Sequence, residues 1–74
     1  MSFEELRKVV ADALEVEPGV ITPTTRLESL PTFDSVARLS LIAALEDAGV
    51  SVPMAKAAEI ASIEDVMRLA GVTV

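Results

Sequence analysis

The pair Asp34-Ser35 is the part of this sequence whose residue types are best suited to chemistry. A serine hydroxyl becomes a nucleophile only when a neighbouring base activates it. The 74-residue chain contains no His and no Cys, and no Lys adjoins Ser35 in sequence, so a serine hydrolase is disfavoured. Zinc sites and disulfides made from thiolates or imidazoles are excluded for the same reason, and no EF-hand loop pattern is present.

Asp34 is expected to cap a helix that begins at Ser35. The Ser35 hydroxyl would then face solvent, beside free backbone N–H groups that favour a negative charge. A phosphodiester on that oxygen would be electrostatically favourable. Asp-Ser is also a common N-cap pair with no further role, and the dipeptide alone does not separate the two interpretations.

The elements that must position this pair are predicted to be helices. Ser2 and Glu5 form a capping-box pattern before the first, and Ser62 and Asp65 form one before the last. Pro18-Gly19, Gly49 and Gly71 are the expected stops. The predicted helices cover residues 3–16, 35–48, 54–59 and 63–70, with a connector over residues 50–53.

Apolar residues at helical spacing predict which faces are buried. The first helix should bury Leu6, Val9, Val10, Ala13 and Leu14, and the last Ile63, Val66, Met67 and Ala70. The long connection over residues 20–33 should pack across the helices through Ile21, Leu27, Leu30 and Phe33. Met54 and Met67 are interpreted as core filler.

The predicted fold class is all-α: a small bundle of three main helices plus one short helix, with a long first loop. Residues 1–74 are too few for a second core and should form a single domain. Apolar residues make up 51% of the chain and aromatic residues 3%, so the core must consist of Leu, Val, Ile and Ala. No segment shows the alternation of a β-strand.

The net charge of −6 indicates which partners to expect. It argues against nucleic acid, which requires clustered Lys and Arg, and favours proteins with basic docking patches. Acids near the N-terminus do not resemble a signal peptide, and no apolar stretch is long enough to span a membrane. We expect a cytoplasmic monomer.

The second helix carries two apolar arcs when it is plotted at 100° per residue. Leu41, Ile42, Leu45 and Ala48 are assigned to the core. The other arc is predicted to be a docking surface edged by carboxylates, made of Val36, Leu39, Ala43, Glu46 and Asp47. Alternatively, Val36 and Leu39 simply contact the long loop or the short third helix.

Residues 30–47, LPTFDSVARLSLIAALED, resemble the acyl carrier protein family, in which an Asp-Ser-Leu signature opens a helix that ends in Ala-Leu-Glu-Glu. Residues 26–30, 50–53 and 61–66 are similar to the family's segments before the signature, before the third helix and at the start of the last helix. The resemblance covers almost the whole chain in order and spacing. It implies a stand-alone carrier that is not an enzyme.

The resemblance also implies the cofactor and the partners. Ser35 would receive 4′-phosphopantetheine from coenzyme A through a phosphopantetheinyl transferase, with Asp34 helping to hold a divalent metal in that enzyme. The arm would supply the thiol that the chain lacks and carry an acyl, aminoacyl or related group as a thioester. Acyl-activating or acyl-transferring enzymes would then perform the chemistry.

The sequence departs from the housekeeping fatty acid carriers near the signature. Phe33 stands where Gly is usual, Val36 replaces Leu, and Ala37, Arg38 and Ser40 occupy a stretch that is usually acidic. This pattern looks like the specialised carriers of secondary-metabolite, polysaccharide or amino-acid-tailoring pathways. The sequence specifies neither the cargo, the loading enzyme nor the pathway.

Two interpretations of Arg38 and one of the whole chain stay open. Arg38 is expected to pair with a loop carboxylate such as Glu28, or alternatively to guard a cavity mouth and favour polar or acidic cargo. The alternative function is an unmodified helical adaptor that binds a partner through Val36 and Leu39.

Overall fold

The computed structural model describes residues 1–31 and 33–72, which form a helical bundle. The helices are α1 (Phe3–Leu14), α2 (Ser35–Asp47), the single-turn α3 (Met54–Ala57) and α4 (Ile63–Ala70), with 3₁₀ turns at Pro18–Val20 and Leu27–Ser29. No strand occurs in the described ranges, where one isolated antiparallel bridge joins Arg26 to Ser62. The predicted fold, three main helices plus a short one, is confirmed.

The first helix begins where its capping residues predict. The Glu5 N–H donates to the Ser2 hydroxyl over 3.2 Å, which satisfies one of the unpaired donors of the first turn. The helix ends at Leu14, not near Val16, because Glu15 adopts a left-handed conformation with φ of 57°. The Val16 N–H then bonds back to the Ala11 carbonyl at 3.0 Å and closes the last turn.

The long connection between α1 and α2 is packed, as predicted. Ile21, Leu27 and Leu30 are buried in the core, and Phe33 packs against it. Backbone hydrogen bonds attach the connection to the start of α4: the Leu27 N–H donates to the Ala61 carbonyl at 3.0 Å. The segment that leads to Ser35 is therefore held at its middle by α4.

The core draws on α1, α2 and α4 and on the segments between them. The predicted inward residues Leu6, Val10, Leu14, Ile63, Val66 and Met67 are buried, as are Leu41 and Leu45 of α2. Val9, Ala13, Ile42 and Ala70 are half-buried, at the edge of the core. The α1 and α2 helices pack directly against each other, so α1 helps to hold α2 in position.

Two predicted core residues are on the surface instead. Ala48 is exposed because α2 ends at Asp47, which leaves Ala48 as the capping residue of the turn at Gly49. Met54 is 90% exposed because it opens α3, a helix that buries none of its residues. The interpretation of Met54 as core filler is therefore wrong, whereas that of Met67 is confirmed.

The third helix is shorter than the predicted range 54–59. A helix that continued to Glu59 would have the Glu59 N–H bond to the Ala55 carbonyl. That N–H donates instead to the Lys56 carbonyl at 2.9 Å, which is the tighter pattern of a 3₁₀ turn, and the Ala57 carbonyl accepts from Arg38 at 3.1 Å. The α-helical pattern of α3 therefore ends after one turn.

None of the described helices is long and apolar enough to cross a membrane. Likewise, the described residues contain no group of three or more carboxylates placed to hold a metal ion.

Candidate cofactor attachment site

Ser35 is the first residue of α2 and is exposed. The helix begins there because the Asp34 side chain accepts the Ala37 N–H at 2.8 Å, which is the predicted N-cap. The Arg38 N–H continues the turn by donating to the Asp34 carbonyl at 3.0 Å. Asp34 therefore fixes the position of Ser35 through backbone geometry.

The surroundings of Ser35 fit a phosphodiester. The residue is exposed at the positive end of a 13-residue helix, where backbone N–H groups favour an anion. No acidic residue lies within the first turn of α2, so the carboxylate next to Ser35 in this part of the helix is that of Asp34 at the cap. The site therefore combines an exposed serine with the positive electrostatic potential of a helix N-terminus, which favours a phosphate ester.

The apolar arc predicted for docking faces solvent. Val36 is 69% exposed and Leu39 is 67% exposed, and Ala43 is also exposed. Such exposure argues against the alternative in which Val36 is covered by the loop or by α3. Leu39 does border α3, across an open groove whose walls are Leu39, Ile42, Glu46, Val52, Met54 and Ala57.

The acidic edge of this arc is far from Ser35. Glu46 and Asp47 are exposed in the last turn of α2. With a rise of 1.5 Å per residue, Asp47 lies about 18 Å along the helix axis from Ser35. The half of α2 nearest to Ser35 thus carries no carboxylate and has Arg38 as its one charged residue, and the carboxylates are at the opposite end.

Arg38 is bonded to backbone carbonyls and not to Glu28, so the predicted pairing is wrong. Its Nη1 donates to the carbonyls of Ala57 at 3.1 Å and Ile60 at 2.7 Å, and its guanidinium carbon lies 5.3 Å from the centre of the Phe33 ring. Glu28 instead pairs with Arg26 at 3.2 Å, because the two are only two residues apart on the same turn.

Met54 is the surface residue that sequence analysis missed. It stands beside Leu39 at the groove and is the most exposed of the large apolar side chains. A helix of one turn offers no periodicity from which a buried face could be distinguished from an exposed one. Pro53 directly before it marks the start of a helix but does not indicate which way the Met54 side chain points.

A second depression, between α3 and α4, has a structural role. It is lined by Lys56, Glu59, Ile60, Asp65, Arg68 and Leu69, none of which belongs to α2. Its charges are paired: Lys56 with Glu59 at 3.7 Å, and Arg68 with Asp65 at 3.0 Å. Hydrogen bonds from the Ala61 and Ser62 N–H groups, together with Arg68, hold the pKa of Asp65 below its usual value.

The family model for the phosphopantetheine attachment site matches residues 4–70. The chain belongs to this family of carriers. It is also similar to the acyl carrier protein of Thermosynechococcus vestitus, with 32% identity over 66 residues that cover 88% of this chain and 82% of the relative. The match spans all four helices and the long first connection.

Membership in the family confirms three predictions made from the sequence. The protein is an acyl-carrier-type protein, it is not an enzyme, and its cofactor is covalent 4′-phosphopantetheine. When attached, the cofactor supplies the thiol that holds the cargo as a thioester. What the chain itself contributes is the rigid presentation of the attachment point and of the surface around it.

Proposed function

We propose that Ser35 is the attachment point of 4′-phosphopantetheine, with Asp34 assisting, and that residues 1–74 act as one carrier domain. The observation that carries this proposal is the exposure of Ser35 at the first position of α2, with Asp34 capping the helix beside it. A transferase needs an accessible hydroxyl, and the product needs a site that tolerates a phosphodiester.

The enzymes that load and unload the arm would dock on α2. Val36, Leu39 and Ala43 provide exposed apolar area next to Ser35, and Glu46 and Asp47 add charge at the far end. Apolar contacts at the centre with charges at the rim are the usual composition of a transient interface. The partners are a phosphopantetheinyl transferase and acyl-activating or acyl-transferring enzymes with basic patches.

We further propose a cytoplasmic, monomeric carrier in a specialised biosynthetic pathway. The absence of acids from the first turn of α2 supports the specialised pathway, because a partner tuned to early acids would lose its ionic contacts here.

Attachment is tested by incubating the unmodified protein with coenzyme A, Mg²⁺ and a phosphopantetheinyl transferase of broad specificity, followed by intact-protein mass spectrometry. The expected result is a gain of one arm, located on Ser35 by peptide mapping. The Ser35→Ala variant should gain nothing. Ser40→Ala is the matched control, since Ser40 is an exposed serine of the same helix, and it should be modified like the wild type.

The same experiment decides against the proposal if the folded wild type gains no mass with any competent transferase. That outcome would favour the unmodified adaptor, which would use the same exposed residues Val36 and Leu39 to bind its partner.

A further inference from the structure

Arg38 is a cation that lies one helical turn from Ser35. It is the one charged residue in the half of α2 nearest to Ser35. Helix residues three apart are neighbours on the helix surface, with about 5–6 Å between their Cβ atoms, and long side chains lean toward the helix N-terminus. The helix geometry therefore brings the Arg38 side chain to the turn that begins with Ser35.

The contacts of Arg38 hold its guanidinium group at this end of α2. The guanidinium carbon lies 5.3 Å from the centre of the Phe33 ring, and Phe33 precedes Ser35 by two residues. Nη1 donates to the carbonyls of Ala57 at 3.1 Å and Ile60 at 2.7 Å. Because these contacts already fix the group, an anion that paired with it would cost little side-chain entropy.

One edge of the Arg38 guanidinium is not used by these bonds. Among residues 1–31 and 33–72, Nε and Nη2 donate to no acceptor, and both bonds to carbonyls come from Nη1. Within the same residues, the buried side-chain nitrogen that lacks a partner is Nε of Arg7, so Nε and Nη2 of Arg38 reach solvent. The N–H groups of Nε and Nη2 are parallel and can bind two oxygens of one phosphate or carboxylate.

The described side chains supply no anion for this edge. Arg7, Arg26 and Arg68 each pair with a carboxylate, whereas Arg38 has no carboxylate partner among residues 1–31 and 33–72. The carboxylate nearest to Arg38 along α2, that of Asp34, accepts the Ala37 N–H as the helix cap. In a chain with a net charge of −6, an arginine without a carboxylate points to an anion that is added later.

We propose that Arg38 binds the phosphodiester of the arm once the arm is attached to Ser35. Nε and Nη2 donate to the two non-bridging oxygens, while Nη1 keeps its bonds to the carbonyls of Ala57 and Ile60. A fixed cation is thereby added to the positive end of α2, and the directions in which the arm leaves Ser35 are restricted. The inference deepens the proposed attachment at Ser35 and rests on it.

The first test needs only wild-type protein, before and after the arm is attached. Proton–nitrogen NMR observes the Nε–H group of each arginine. Attachment should shift the Arg38 signal and slow its exchange with water several-fold, whereas the signals of Arg7, Arg26 and Arg68 should not change. Part of the effect should disappear in about 1 M NaCl, where the Debye length is only about 3 Å.

The second test is a thermodynamic cycle. The melting temperature is measured with and without the arm for the wild type, Arg38→Met, Arg38→Lys and the control Arg26→Met, which removes an exposed arginine that contacts Glu28. Attachment should raise the melting temperature by about 2–4 °C more in the wild type and the control than in Arg38→Met. Arg38→Lys should retain part of this difference, since an ammonium group pairs with phosphate but not through a planar fork.

The comparison within each variant removes the effect of the carbonyl bonds, because Arg38→Met lacks them with and without the arm. If Arg38→Met does not fold, the NMR result for the wild type decides. An Arg38 signal that does not respond to attachment overturns the inference, and so does an equal rise in melting temperature in the wild type and Arg38→Met. In both cases the gain of mass would still support attachment. A wild type that gains no arm overturns the attachment itself, and with it any phosphate for Arg38 to bind.

Discussion

The Asp34 carboxylate accepts the Ala37 backbone N–H at 2.8 Å, and this hydrogen bond starts the helix that carries Ser35. Asp34, which lies beside the proposed attachment point, therefore stabilises the helix by capping it. Substitutions that differ in their ability to cap a helix can separate this stabilising role from a role of Asp34 in modification.

Replacing Asp34 by Ala should destabilise the protein by about 1 kcal/mol, the usual cost of losing an N-cap side chain. Asp34→Asn should retain most of that stability, because asparagine caps helices as well as aspartate does. Urea unfolding followed by circular dichroism measures both. Asp47→Ala, at the opposite end of α2, is the control for loss of a carboxylate and should not be destabilising.

The Asn variant also separates capping from modification. If the Asp34 carboxylate helps a transferase to hold its metal, Asp34→Asn should be modified more slowly than the wild type although its stability is preserved. Equal rates for the two proteins would assign Asp34 to capping alone.

Leu39 and Leu41 should respond in opposite ways to the same change. Leu41 is fully buried and Leu39 is 67% exposed, although they are two residues apart. Leu41→Ala should lower the free energy of unfolding by about 2–5 kcal/mol, because buried apolar atoms are lost and a cavity remains in the core. Leu39→Ala should change stability by less than about 0.5 kcal/mol but raise the KM of the loading enzyme. An unchanged KM would remove Leu39 from the docking surface.

The sequence predicted the helices well because their ends are set by local chemistry. Ser2 and Asp34 cap α1 and α2, and Gly71 ends α4 in the left-handed conformation that glycine adopts most easily. The buried faces of α1 and α4 also follow from local spacing, since their apolar residues recur at three and four positions. The place of Ser35 at the start of α2 was predictable for the same reason, because it directly follows a capping residue.

The contacts of Arg38 and the exposure of Met54 could not be predicted in this way. Arg38 bonds to carbonyls 19 and 22 residues away, and backbone carbonyls leave no trace in the residue types of a sequence. A nearby acid such as Glu28 looked like the natural partner, but a closer arginine, Arg26, already holds it. Met54 belongs to a single turn whose orientation depends on its anchors and not on its own pattern.

Asp65 should make stability dependent on pH in the acid range. The pKa of its carboxyl group is lowered in the folded protein, first by the Ala61 N–H and then by the Ser62 N–H and Arg68. Because the folded pKa is the lower one, the stabilisation is complete above the unfolded value of about 3.9 and is lost as the pH falls through the folded value.

The difference in unfolding free energy between the wild type and Asp65→Ala should therefore be largest near neutral pH and shrink below about pH 4. Urea unfolding over a pH series measures it. Asp12→Ala, on the exposed side of α1, controls for the removal of one carboxylate. A difference that stays constant down to about pH 2 would show that the bonds to Asp65 do not depend on its charge.

The two left-handed helix ends give a reciprocal prediction. Glu15 ends α1 with φ of 57°, and Gly71 ends α4 with φ of 71°. A side chain in this conformation costs about 1 kcal/mol relative to glycine, so Glu15→Gly should stabilise the protein and Gly71→Ala should destabilise it by similar amounts. No atom lies within 4 Å of a Cβ built on Gly71, so its effect would come from the backbone alone. Thermal unfolding measures both changes; if Gly71→Ala were neutral, the left-handed conformation could not be what ends α4.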